Sequence, residues 1–278
     1  MKGFLRPALA LTLILVTACG GEPAEPSVFT RMGRAVGLAD EPPPPTITVD
    51  VACDASKGST CTAESLDATL VQVIRVTADR PGSEVRLWMV GPTLATTKLI
   101  ASVTSDVPRN GNAKSKRAAA ARYIESARAY LTKAAQPYLD EPERGGSPLS
   151  EALTLIALAG ARTDHRLLCL VSDGLEVSKI GGDLECADPL PTPSTFVKTL
   201  QREHVLPAGS LTDVKVLFMF MTITATDRRG CAAMSLERRA LMEELWTSAI
   251  AAAGGTAQFD TGATDLTTIT TTSPEGDE

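Results

Sequence analysis

Three short stretches hold the residues whose types and spacing suit chemistry. They are Asp50-Val51-Ala52-Cys53-Asp54, Gly145-Gly146-Ser147-Pro148-Leu149-Ser150-Glu151-Ala152-Leu153 and Leu168-Cys169-Leu170-Val171-Ser172-Asp173-Gly174. Each sets a carboxylate or hydroxyl beside an apolar run or a tight turn. Brought together, carboxylates and hydroxyls make an all-oxygen donor set. Such a set suits a hard cation such as Mg²⁺, which keeps several of its waters. Covalent chemistry fits less well, because Ser172 lacks the Gly-x-Ser-x-Gly elbow that activates a serine. The chain's two histidines, His165 and His204, argue against a multi-histidine zinc site.

Gathering these residues takes a chain that alternates strands and helices. Thr46-Ile47-Thr48-Val49-Asp50-Val51 alternates and is rich in β-branched residues, which predicts a strand. Further strands are expected at 84–90, 98–104 (an edge strand), 166–172, 214–223 and 256–259. Leu66, Leu70, Val73 and Ile74 recur at helical spacing within 62–79. Other helices are expected over 114–136 with a stop at Pro137, from Ser147-Pro148 onward, over 194–204, and from Ser235 to Gly254-Gly255. Ser147 reads as the cap of its helix, with Pro148 in the first helical position where proline is favoured. This alternation implies an α/β domain with a largely parallel sheet and right-handed crossovers. Ligands of such sheets lie beyond the carboxyl ends of the strands, where the strand order reverses. Asp50 and Asp173 are read as standing at such ends.

At these residues the chain resembles a von Willebrand factor type A (VWA) domain. The family builds a metal-ion-dependent adhesion site from three pieces. They are an Asp-x-Ser-x-Ser turn after the first strand, a Thr in a Gly-Gly-Thr-x-Leu loop, and an Asp in a Ser-Asp-Gly turn after the fourth strand. The resemblance runs over residues 46–262 in element order and is sharpest in the Gly-Gly-Ser loop and the Val-Ser-Asp-Gly turn. It implies a three-layer, doubly wound, Rossmann-like fold, mostly parallel with one antiparallel edge strand. Carried onto this chain, Asp50 takes the first aspartate, Ser147 the threonine and Asp173 the last aspartate. Ala52 then stands where the first serine would ligate, and Asp54 replaces the second serine with an added negative charge. A second register, Asp54-Ala55-Ser56-Lys57-Gly58-Ser59, supplies the Asp-x-Ser pair but has Gly58 at the second serine. The Asp50 register is preferred, with Ser56 as a substitute hydroxyl. The implied metal set is therefore Asp50, Asp54, Ser147 and Asp173, for Mg²⁺ or Mn²⁺. The implied partner is a protein whose acidic group completes the ion.

Lys2 and Arg6, an apolar run over 8–16 and small residues up to Cys19 read as a secretory signal peptide over 1–18. Val16-Thr17-Ala18-Cys19 resembles the lipobox of bacterial lipoproteins. That implies cleavage before Cys19, diacylglycerol on its sulfur and an acyl chain such as palmitate on its amine. More than one chain meets the requirement for stable anchoring. Gly20 implies sorting to the outer membrane if the cell is Gram-negative. Residues 19–45 read as the lipidated cysteine and a Pro-rich tether, and 263–278 as a Thr-rich acidic tail expected to be disordered. Of the remaining cysteines, Cys169 lies in an apolar run and reads as a free core thiol. Cys53, Cys61, Cys186 and Cys231 allow three pairings in an oxidising compartment. Cys53–Cys61 would close a short loop, and Cys186–Cys231 would join two later ones.

A net charge of −6 argues against nucleic acid as a partner. The cations between Lys114 and Lys133 read as the wet face of one helix. Aromatics make up 4% of the chain and hydrophobic residues 44%, so the core must be aliphatic. The expected function is that of a non-enzymatic, lipid-anchored binding or adhesion-type protein of the bacterial cell envelope, with no catalytic residues. An ion-independent scaffold of an envelope complex is the alternative. A metal-dependent hydrolase ranks lower, because the Asp-x-Asp-x-Thr motif of haloacid dehalogenase phosphatases is absent. A transporter's solute-binding lipoprotein ranks lower too, because one domain shows no two-lobe pattern.

Overall fold

The first strand, β1 (Ile47–Asp54), is buried at every residue. Burial on both faces is what a parallel strand with helices on either side must accept. A computed structural model describes residues 45–56, 58–142, 145–160, 163, 165–219, 221 and 235–260. These residues belong to one compact unit, Pro43–Glu278. The predicted leader, Cys19, Cys231, most of the tether, the tail and residues 220 and 222–223 of the strand predicted at 214–223 lie outside the described residues.

After β1 come α1 (Ala63–Ala78), β2 (Glu84–Val90), β3 (Lys98–Thr104), α2 (Ala113–Asp140), α3 (Leu149–Leu158) and β4 (His165–Val171). A small antiparallel ladder of β5 (Val177–Ser178) and β6 (Gly182–Asp183) follows. Then come α4 (Pro193–Arg202), β7 (Val214–Met219), α5 (Leu236–Ala252) and β8 (Thr256–Asp260). The main sheet has the order β3-β2-β1-β4-β7-β8. Every neighbouring pair is parallel except β2 with β3. The order reverses between β1 and β4, so the fold is a three-layer, doubly wound α/β sheet with one antiparallel edge strand. One aliphatic core joins α1 and α2 to Val49, Val51 and Cys53 of β1. A second joins α3, α4 and α5 to the opposite face, with Ala52 in it. Period-two alternation therefore turns Asp50, Ala52 and Asp54 toward α3.

Local chemistry sets most boundaries. Thr62 and Ser65 form a reciprocal capping box at the start of α1. Asn112 and Ser235 cap α2 and α5. Two expectations need correction. α2 does not stop at Pro137 but runs on to Asp140. In the last turn proline removes one backbone bond, and Tyr138 and Leu139 pack against the core there. β1 does not end at Val51 but continues to Asp54, because it stays registered on β2 up to Asp54↔Val90.

That longer strand changes the meaning of Asp50, which is fully buried in mid-strand. Its neighbours in register are Arg86 on β2 and Leu168 on β4. Arg86 Nε donates to Asp50 Oδ1 at 2.7 Å and Nη2 to Oδ2 at 2.8 Å. Trp88 Nε1 also donates to Oδ1 at 2.8 Å, and Arg166 Nε to Oδ2 at 2.8 Å. Arg166 continues to the end of α3, donating to the carbonyls of Ala157 and Ile156. A guanidinium on the last carbonyls of a helix faces the negative end of its dipole. The cluster thus joins three strands and one helix and satisfies every oxygen of the carboxylate. Removing one member of such a buried group strands the others without a partner. Asp50→Ala is expected to lower unfolding free energy by about 3–5 kcal/mol, read by urea denaturation. A loss under about 1 kcal/mol would show that water or relaxation replaces the carboxylate.

Candidate metal centre

Four residues beyond Asp50, β1 ends in Asp54, at the carboxyl edge of the sheet beside the point where the order reverses. Asp54 is 1% exposed. Ser56 N donates to Asp54 Oδ1 at 3.0 Å, closing the tight turn that follows the strand. The Cys53–Cys61 disulfide spans this turn, with a sequence separation of 8. Ser147 Oγ donates to Asp54 Oδ1 at 3.1 Å and lies 2.8 Å from Ser56 Oγ. Ser172 Oγ donates to Asp54 Oδ2 at 3.1 Å. The next residue, Asp173, is 2% exposed, and its Oδ1 accepts from Leu175 N at 3.2 Å. Three separate stretches of chain therefore meet at Asp54.

Each stretch is held from behind. Gly146 lies against the strand β5, where any Cβ would come within 2.0 Å of the Val177 carbonyl oxygen. Val177 N in turn donates to Ser147 O at 3.0 Å. Gly174 turns the chain after Asp173 with φ +76°, a conformation that disfavours other residues. Its carbonyl accepts from Trp246 Nε1 of α5 at 2.8 Å. Trp246 is fully buried between Phe196 and Phe218.

Of the expected ligands, the structure brings Asp54, Ser56 and Ser147 together, with Asp173 adjoining. It does not bring Asp50. The preferred register is corrected to Asp54-Ala55-Ser56-Lys57-Gly58, and Gly58 leaves this turn one hydroxyl short. Ala52, read as a lost ligand, is a core residue on the α3 side. Ser147 does not cap α3 either. The cap position falls on Pro148, which offers no side-chain bond, and the Ser147 hydroxyl serves Asp54 instead. Cys53–Cys61 pairs as one of the expected disulfides, and Cys169 is the free buried thiol. Burial pushes that thiol well above its ordinary range, so it stays protonated. Cys186 is disulfide-bonded, and Cys231 lies outside the described residues. His165 and His204 are exposed.

Sequence reasoning missed Glu176. This carboxylate is fully buried and takes over the capping of α3 from a different loop. Ser150 N donates to Oε2 at 2.8 Å and Ser150 Oγ to Oε1 at 3.1 Å. Burial pushes its carboxyl up to about 7, against the hydrogen bonds from Ser178 and Ser150 that favour ionisation. Its only signal in sequence is an acidic residue two positions after a Ser-Asp-Gly turn, which fixes no partner.

The donors at the site are all oxygens, from two acids and three hydroxyls, the chemistry that Mg²⁺ or Mn²⁺ prefers over zinc. Among the described residues, no group of three or more His, Cys, Asp or Glu that could hold a metal gathers here or elsewhere, so the fit rests on two acids supplemented by hydroxyls. The residues present therefore fit a hard divalent cation. An Asp-x-Ser turn after the first strand, a Gly-Gly-Ser loop and a Ser-Asp-Gly turn meet on a sheet whose antiparallel strand lies at the β2 edge. The domain is VWA-like. No family model and no curated protein matches the sequence of this VWA-like chain. It is similar to the solved structure of an aerotolerance-related membrane protein from Bacteroides fragilis, at 13% identity, over 78% of this chain and 92% of that one, with a TM-score of 0.40. It is also similar to the pilus adhesin SpaC from Lactobacillus rhamnosus, at 10% identity over 81% and 29% of the two chains, TM-score 0.45. A von Willebrand factor type A structure from Catenulispora acidiphila matches at 10% identity over 81% and 42%, TM-score 0.35. The chain spans less than half the length of the latter two.

Glu176 gives the VWA-like domain a pH dependence whose sign follows from its raised carboxyl. The folded state holds the proton more tightly than the unfolded chain between 4.5 and about 7. Its stabilising contribution is full below 4.5 and is lost as pH rises through about 7. Gln keeps an acceptor for Ser150 N and does not titrate. Glu176→Gln should therefore flatten the fall in thermal midpoint between about pH 5 and 8. Parallel slopes for the two proteins over that range would reject this assignment.

Proposed function

We propose that this protein is a lipid-anchored, non-enzymatic binding protein of the bacterial cell envelope. Its VWA-like domain takes a protein partner through a divalent cation held at Asp54, Ser56, Ser147 and Asp173. The convergence of Ser56 and Ser147 on the buried carboxylate of Asp54 carries the reading. A bound cation would supply positive charge for an acidic group of the partner. The chain's own part is to aim oxygens, and the disulfide, the Gly146 contact and Trp246 hold the three loops that do so. Ser147 and Ser172 donate to Asp54, but neither lies in the Gly-x-Ser-x-Gly elbow that activates a serine, which favours binding over turnover. The apolar leader and Cys19 support a lipid anchor, at the outer membrane if the cell is Gram-negative. Among the described residues no helix is long and apolar enough to cross a membrane. Gly58 favours a second reading, an ion-independent scaffold, because it removes one hydroxyl from the turn.

Thermal unfolding of the full-length protein with Mg²⁺ or Mn²⁺ separates the two. A ligand of the native state at a hundred times its Kd adds about 2.7 kcal/mol, which is roughly 5–10 °C for a domain of this size. The rise should vanish in Asp54→Ala and in Asp173→Ala. It should survive in a folded Asp50→Asn protein, whose midpoint without metal is lower. No rise in the well-folded wild type would leave the scaffold reading. A rise lost with Asp50 but kept without Asp54 would restore the other register. The anchor is checked separately, by the mass of the Cys19 peptide and by release of Cys19→Ser from membranes.

A further inference from the structure

α2 has 28 residues, whereas α1, against which it packs, has 16. At 1.5 Å per residue they are about 42 Å and 24 Å long. The Tyr123 hydroxyl lies 3.2 Å from that of Thr77, in the last turn of α1. Residues 113–122, about 15 Å of helix, therefore run on past the end of α1. Residues 113–118 are exposed all the way round, and Ala119 and Ala120 only partly touch the core.

This overhang carries Lys114, Lys116, Arg117 and Arg122 and no acidic residue, and Arg109 stands on the loop leading into it. All five are exposed. None joins an ion pair with a described residue, whereas Arg128, further along the helix, pairs with Asp67. One local preference is broken here: cations in the first turn oppose the helix dipole. Packing does not demand this arrangement, and the chain's net charge of −6 does not supply it by composition.

Its place in the fold supplies the direction. Thr48 is in register with Glu84, and Glu84 with Thr104. The exit of β3 and the start of α2 thus lie at the amino end of β1, where the chain arrives from the segment holding Cys19 and the apolar run. The metal centre lies at the opposite end. The overhang also lacks what a protein interface needs at its middle, a buried apolar patch. The exposed large hydrophobics Leu94, Leu99, Tyr130, Leu158, Leu236 and Leu241 all lie elsewhere. An anionic bilayer needs no such patch, since each Lys or Arg near its surface is worth roughly five-fold in affinity.

We propose that the α2 overhang docks on an anionic phospholipid surface, with Arg109, Lys114, Lys116, Arg117 and Arg122 on the headgroup phosphates. The domain then stands with its metal centre facing away from the bilayer. The proposal goes beyond the partner-binding reading and shares only the envelope location with it. The test uses the full-length chain without divalent cations. Phosphatidylglycerol-containing vesicles are compared with vesicles of phosphatidylcholine alone. Anionic vesicles should shield Lys114 and Lys116 from acetylation and leave Lys198 on α4 reactive. About 0.5 M NaCl should restore reactivity by screening. K114Q/K116Q/R117Q/R122Q should lower the anionic-to-neutral affinity ratio about fifty-fold or more. All four side chains are exposed, and the variant's thermal midpoint verifies its fold. Equal shielding by neutral vesicles, absent shielding, or an unchanged ratio in the variant would overturn the proposal. Shielding by polyglutamate but not by vesicles would overturn it too, in favour of an acidic protein. The Mg²⁺ response is read without vesicles, so failure of either reading leaves the other standing.

Discussion

The buried carboxylate of Asp50 is the point on which the rest of the fold is hung. It accepts from Arg86 on one neighbouring strand, from Arg166 on the other and from the Trp88 indole. Two guanidiniums around one carboxylate would leave an uncompensated positive charge in the core. Arg166 resolves this by reaching the carbonyl end of α3, where the helix dipole is negative. Such a cluster is costly to desolvate and poor as a source of net stability. What it does fix is register. A slip of β1 by one residue would carry Asp50 into the aliphatic layer beneath α1 and α2. Its two partners would be left unpaired.

With β1 fixed, the position of Asp54 follows. Alternation puts it on the same face as Asp50, four residues nearer the carboxyl edge, where the α3 loop arrives. There the Ser147 hydroxyl leaves the role its neighbours suggest. A serine before a proline at the head of a helix would ordinarily cap that helix. Here Glu176 provides the acceptor for the helix start, and Ser147 is free to face Asp54 and Ser56. A buried acid with a raised carboxyl thus stands behind the alignment of a site it does not touch.

Much of this was legible in the sequence. The alternation of strands and helices and the edge strand at 98–104 pointed to a doubly wound sheet, and both stand in the structure. The cap expected at Ser147 does not. The Gly-Gly-Ser loop and the Ser-Asp-Gly turn were readable because glycine and acidic residues at turns have local causes. Asp50 was misread for the same reason. An aspartate after Thr-Val reads locally as the end of a strand, and the arginines that bury it lie 36 and 116 residues away. Arg86 sits in an otherwise ordinary strand, and Arg166 opens another. No local pattern announces a charge pair across a sheet. Glu176 and Trp246 were hidden in the same way, since each acts on a loop far from it in the chain. Pro137 misled in the other direction, because tertiary packing of Tyr138 and Leu139 outweighed a rule that holds for isolated helices.

The central position of β1 has a mechanical consequence. The chain enters β1 at its amino end, and the candidate centre begins at Asp54 at its other end. If the first is held by a tether and the second by a partner, tension runs along the strand itself. Where the partner also grips Asp173, just past β4, the load passes between the strands, and the hydrogen bonds of β1 to β4 would be loaded in shear, all at once, rather than peeled open one after another. The guanidiniums on Asp50 act as crossbars from β1 to β2 and β4. A domain wired in this way resists being pulled apart along the line on which an attachment would pull.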